Sequence, residues 1–116
     1  MNRGDVVVVP FPFQDKPGEK IRPAVIVQCD AENRRQANTI LAMITGNLSD
    51  FGQPTTLLVD PATVDGVGSG LNGASLVKCS NLATVRQKRV LHVIGHLSDT
   101  LKRELNNCLK ATLELP

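Results

Sequence analysis

None of the 116 residues is tryptophan or tyrosine, and only Phe11, Phe13 and Phe51 are aromatic. Single-stranded nucleic acids are commonly held by stacking bases on aromatic rings, so any such platform here must come from one of these three. Cysteine is equally scarce. Cys29, Cys79 and Cys108 are odd in number and form no C-x-x-C pair, which excludes a disulfide framework and a zinc ribbon. They are expected to be small buried apolar residues. No apolar run is long enough to cross a bilayer and no amino-terminal secretion signal is present, so a cytoplasmic protein without a membrane partner is expected. Neither sign of charge dominates. The net charge of +2 permits a nucleic-acid partner but does not require one. Repeats, low-complexity tracts and linkers are also missing, so residues 1–116 are expected to form one domain.

What is present is a succession of short β-branched runs. Asp5–Phe13 and Arg22–Gln28 read as two buried strands separated by a polar loop, Gln14 to Ile21. Cys29 to Asn38 reads as a polar connection. Thr39–Thr45, Thr55–Val59, Ala74–Leu82 and Val90–Ile94 read as further strands, the last broken by Gly95. Leu101, Leu105, Cys108, Leu109 and Leu113 recur at helical spacing behind Ser98, the expected N-cap. The glycine-rich stretch Asp65–Gly73 is followed by a strand, not a helix. It is therefore not a phosphate loop, and its glycines serve close backbone approach. Five or six short strands and a terminal helix predict a mainly β (α+β) fold, a small barrel or strongly bent antiparallel sheet.

No set of side chains at metal-ligand spacing occurs, and no cofactor is expected. His92 and His96 flank Gly95 and form a candidate acid/base pair, although isolated strand histidines are more often structural. Arg22 and Thr45 each end a predicted strand. An arginine can grip a phosphate with two hydrogen bonds, and Pro23 biases Arg22 toward an extended backbone. From the residues alone, a surface ion pair for Arg22 and a plain strand-end hydroxyl for Thr45 are the simpler readings.

The run Gly4-Asp5-Val6-Val7-Val8-Val9-Pro10-Phe11-Pro12-Phe13, a spacer, and Arg22-Pro23-Ala24-Val25-Ile26-Val27 resembles the amino-terminal signature of the MazF/PemK toxins. The likeness continues through Thr39–Thr45, Gly70-Leu71, Ser75–Leu82 and the terminal helix. It implies an SH3-like barrel with a carboxy-terminal helix, a homodimer, and a metal-independent endoribonuclease acting on single-stranded mRNA. It also implies a cognate antitoxin as partner. By that resemblance Arg22 and Thr45 are the expected catalytic residues. Phe13, Asp15, Lys16, Glu19 and Lys20 of the first loop, with Lys78 and Ser80 of the fifth strand, are the expected substrate contacts. Two positions depart from the family pattern: Gly46 stands where Ser often follows the threonine, and Ser80 where some members carry a catalytic Asp. The general base is then sought first at Asp15 or Glu19, on the loop with Arg22, and next at His92 or His96. The alternative is a toxin of the same fold that inhibits a protein such as DNA gyrase, or an impaired member that only binds RNA or antitoxin.

Overall fold

The computed structural model describes all 116 residues. Its framework is a six-stranded antiparallel sheet in the order β4-β5-β3-β2-β1-β6. The strands are β1 (Asp5–Pro12), β2 (Glu19–Ile26), β3 (Asn38–Thr45), β4 (Thr56–Val59), β5 (Ser75–Arg86) and β6 (His92–His96). A short helix α1 (Asp30–Arg35) follows β2, and α2 (Asp99–Leu113) ends the chain. The mainly β class with a carboxy-terminal helix is as expected. β4 and β6 remain unpaired edges, so the sheet is open and not a closed barrel.

Each face of the sheet carries its own apolar cluster, which is why Val6–Val9 has no polar position. On one face Val6, Val25, Ala42, Ile44, Val59 and Val77 pack beneath Leu101, Leu105 and Cys108 of α2. On the other, Val7, Val9, Phe11, Ala24, Ile26 and Leu41 form a second, smaller cluster. The alternation follows from the pleat: Val6 pairs with Val25, and Val7 with Ala24. α2 starts where Ser98 Oγ accepts a hydrogen bond from the Leu101 amide, as expected of its N-cap.

Several features differ from the sequence reading. The β1–β2 hairpin stays paired out to Pro12 and Glu19, so Glu19, Lys20 and Ile21 belong to a strand and the loop shrinks to residues 13–18. The polar connection after β2 contains α1, whose Asp30 and Glu32 stand in the first turn and Arg34 and Arg35 in the last, each sign suiting that end of the helix dipole. Buried Asn33 ties α1 down, donating from Nδ2 to the Gln28 carbonyl and accepting from Thr39 Oγ1. Cys29 is exposed just before α1, while Cys79 and Cys108 are buried as expected.

Gly95 does not break the last strand. It pairs with Val6 inside β6, and a bulge absorbs the irregularity between Val6 and Val7. A Cβ there would lie 2.4 Å from the Gly68 carbonyl oxygen, because the glycine-rich segment packs backbone against backbone on β6. Gly70, at φ +74°, closes a three-residue 3₁₀ turn, Val67–Ser69, in that segment.

Candidate functional site

Lys20, Arg22 and Ala24 alternate onto the sheet face opposite α2, together with Val9 and Phe11 across the hairpin. Ala24 pairs with Met43, and continuing that register places Thr45 opposite Arg22. The two expected catalytic residues therefore share one face of neighbouring strands. Met43 pairs in turn with Lys78 on β5, which sets Lys78 on the same face.

Between Ala42 and Met43 the β3–β5 register jumps from Leu82 to Lys78, leaving Cys79, Ser80 and Asn81 with no partner on β3. Asn81, which the Ala42–Leu82 register continued by one residue sets opposite Met43, is buried, while Ser80 on the bulge is exposed. Asn81, Arg22 and Met43 then line a cavity of about 260 Å³ with Pro12, Phe13, Gln14 and Asp15. The Phe13 ring is half-buried in its wall, and Lys16 Nζ sits 4.6 Å from the ring centroid, a cation–π contact. The Phe13 amide donates to the Gly18 carbonyl at 3.0 Å, closing the loop that carries Asp15.

Arg22 is half-buried and forms no ion pair; its side-chain hydrogen bond runs from Nη1 to Met43 Sδ at 3.1 Å. A thioether is a weak acceptor, so most donor capacity of the guanidinium is uncommitted. Thr45 Oγ1 accepts from the Asn47 amide at 3.1 Å and keeps its own proton to donate. Lys78 Nζ is held by Asp50 Oδ2 at 2.7 Å, from the loop between β3 and β4.

Other expected contacts lie apart. Glu19 is three residues from Arg22, hence on the opposite face of β2, and its carboxylate binds Arg89 at 2.5 Å. His92 pairs with Val8 and His96 with Asp5, positions of opposite face, so the two imidazoles do not converge. Of the four candidate bases, Asp15 alone lines the cavity with Arg22. Sequence reasoning missed Met43, Asn81 and Asp50. A bulge leaves no mark in a β-branched run, so only the extra length of the Ser75–Arg86 segment hinted at it.

A small bent sheet that presents an unpaired arginine beside a carboxylate, a hydroxyl and a buried carboxamide is built to take an anion. Residues 2–113 match the family of PemK-like, MazF-like toxins of type II toxin–antitoxin systems, and the chain belongs to that family. It is 29% identical over 116 residues to the endoribonuclease MazF of Staphylococcus saprophyticus, covering 99% of this chain and 92% of that one. Its fold is similar to a mycobacterial endoribonuclease solved with its cognate antitoxin, at a TM-score of 0.78 and 22% identity, covering 100% and 97% of the two chains. It is also similar to the MazE–MazF complex from Deinococcus radiodurans, at a TM-score of 0.75 and 16% identity, covering 100% and 98%.

Proposed function

We propose that this toxin, acting as a single domain over residues 1–116, is a sequence-specific endoribonuclease that cleaves single-stranded mRNA without a metal ion. The observation that carries the reading is the Arg22 guanidinium, held in a cavity by its backbone and a thioether with no carboxylate neutralising it. Such a group is free to meet phosphate and to stabilise the charge of a phosphorane. No three His, Cys, Asp or Glu residues are grouped to hold a metal, which favours a nucleophile supplied by the RNA itself. The ribose 2′-OH attacks the adjacent phosphorus, and the 5′-oxygen leaves.

In this scheme Asp15 takes the 2′-OH proton, Thr45 aligns the phosphate or the 2′-OH, and Arg22 supports the phosphorane. Phe13 offers a ring face to a base, while Lys16, Lys20 and Lys78 follow the backbone phosphates. Ser80, exposed on the bulge, is within reach of the RNA but cannot act as a carboxylate base. Glu19, bound to Arg89, supports the hairpin rather than the chemistry.

The toxin works as a homodimer in the cytoplasm and is neutralised by a cognate antitoxin. The dimer is supported by Ile21, 61% exposed and paired with Pro10 on the apolar part of the sheet that α2 leaves uncovered. The antitoxin is supported by family membership and by the complexes of the structural relatives. The test is incubation of the purified protein with a long RNA in EDTA. Discrete fragments ending in 2′,3′-cyclic phosphate and 5′-hydroxyl are expected. Intact RNA together with inhibited DNA gyrase overturns the proposal.

A further inference from the structure

Two strong hydrogen-bond donors of the cavity end on the same poor acceptor. Arg22 Nη1 lies 3.1 Å from Met43 Sδ, and Asn81 Nδ2 lies 3.0 Å from it. Buried carboxamides normally find oxygen or nitrogen partners. Asn81 is 8% exposed, and its donor is nonetheless spent on a thioether. The register that pairs Ala42 with Leu82, continued by one residue, sets Asn81 opposite Met43, and the jump to Lys78 leaves the Asn81 backbone without a ladder partner there.

We propose that Asn81 is a further catalytic residue, a second donor to the scissile phosphate. In the free protein the Met43 sulfur holds its carboxamide and the Arg22 guanidinium in place. When RNA binds, both donors transfer from the sulfur to non-bridging phosphate oxygens. This rests on the endoribonuclease reading above.

Both nitrogens are bonded to one atom, so they lie within about 6 Å of each other, a separation one phosphate group can bridge. A thioether orients them at little cost. A carboxylate at Met43 would instead bind Arg22 by a charge-assisted bond that substrate must break. The donors are therefore aimed before the substrate arrives, and an anionic oxygen outcompetes the sulfur for both. Charge develops on those oxygens as the phosphorane forms, so the contact strengthens in the transition state and its loss falls on kcat.

The test uses the full-length protein and an oligonucleotide with one cleavage site, made with phosphate or with either phosphorothioate diastereomer at the scissile position. Asn81→Ala is expected to lower kcat on the order of a hundredfold while KM changes little. Asn81→Asp, of nearly the same shape, is expected to lose as much, and circular dichroism checks that both variants fold. Sulfur accepts N–H poorly, so in the unaltered protein the diastereomer that points sulfur at Asn81 is cut slowly. In Asn81→Ala that penalty disappears, while the penalty in the other diastereomer, facing Arg22, persists. A merely structural asparagine would leave both penalties unchanged, and that result overturns the inference. So does a kcat for folded Asn81→Ala within about twofold of the unaltered protein, or a change in which nucleotides are cut with kcat preserved. These outcomes leave the endoribonuclease reading intact, whereas no cleavage by the unaltered protein overturns both.

Discussion

Arg22→Ala separates two quantities that the structure makes very unequal. The side chain makes one hydrogen bond, to a sulfur, and no ion pair. A typical intramolecular hydrogen bond contributes about 1 kcal/mol net, and a thioether acceptor places this one at or below that. For a domain of this size, about 1 kcal/mol corresponds to a Tm shift of roughly 3–5 °C as an upper bound. Activity should respond quite differently. Losing one donor to a developing oxyanion costs about 2.7–4 kcal/mol, or a hundred- to thousandfold in kcat, and a charged fork should reach the upper part of that range. Arg22→Lys keeps the charge without the planar fork and should recover a minor part of the rate. The assay pairs a scanning melt with fluorogenic RNA cleavage for the three proteins. A rate for Arg22→Ala within tenfold of the unaltered protein refutes the reasoning. So does a melting temperature lowered far beyond that range, since Arg22 would then be a structural residue.

Three further outcomes follow from other parts of the fold. Gly95→Ala puts a Cβ 2.4 Å from the backbone of the glycine-rich segment and should abolish stable folding, measured as lost cooperativity in a urea melt; a variant with an unaltered midpoint contradicts the packing described. Burial, and next the neighbouring Cys108, pushes the Cys79 thiol up to about 12 from an ordinary 9.0. The unfolded chain releases this proton first as pH rises, so stability present below pH 9 should decline above it, and Cys79→Ala should show a shallower alkaline decline in Tm. The loop of residues 13–18, exposed at all but Phe13, should exchange amide hydrogens much faster than Val6–Val9 and become protected when RNA or antitoxin binds; equal protection in the free protein contradicts a binding role.

The parts of the fold that rest on local pattern were legible in the sequence. The β-branched runs announced the strands, and the leucine stripe behind Ser98 announced α2, because burial on one face leaves a period. Helix α1 was not legible: its six residues, Asp30–Arg35, are polar and bury only Asn33. Gly95 misled because a glycine in a strand usually signals a break, whereas here it admits the glycine-rich segment. At the site, the Arg22-Pro23 pair could be located, and strand alternation now places Arg22 with Thr45. The same alternation sends Glu19 to the other face, a consequence invisible while the residue was assigned to a loop. Asn81 and Met43, 38 residues apart in sequence, meet only through the pairing of β3 with β5. No local pattern reports such a contact.

The central claim is that Arg22 and its neighbours assist attack by the RNA's own 2′-hydroxyl. Its most direct measurement uses an oligonucleotide carrying a single 2′-deoxy sugar immediately 5′ of the cleaved bond, alongside the all-ribose control. The account predicts that the protein binds both with similar affinity, cuts the control to a 2′,3′-cyclic phosphate, and leaves the deoxy substrate intact even with added magnesium. Cleavage of the deoxy substrate at the same bond would show that water is the nucleophile and would contradict the account.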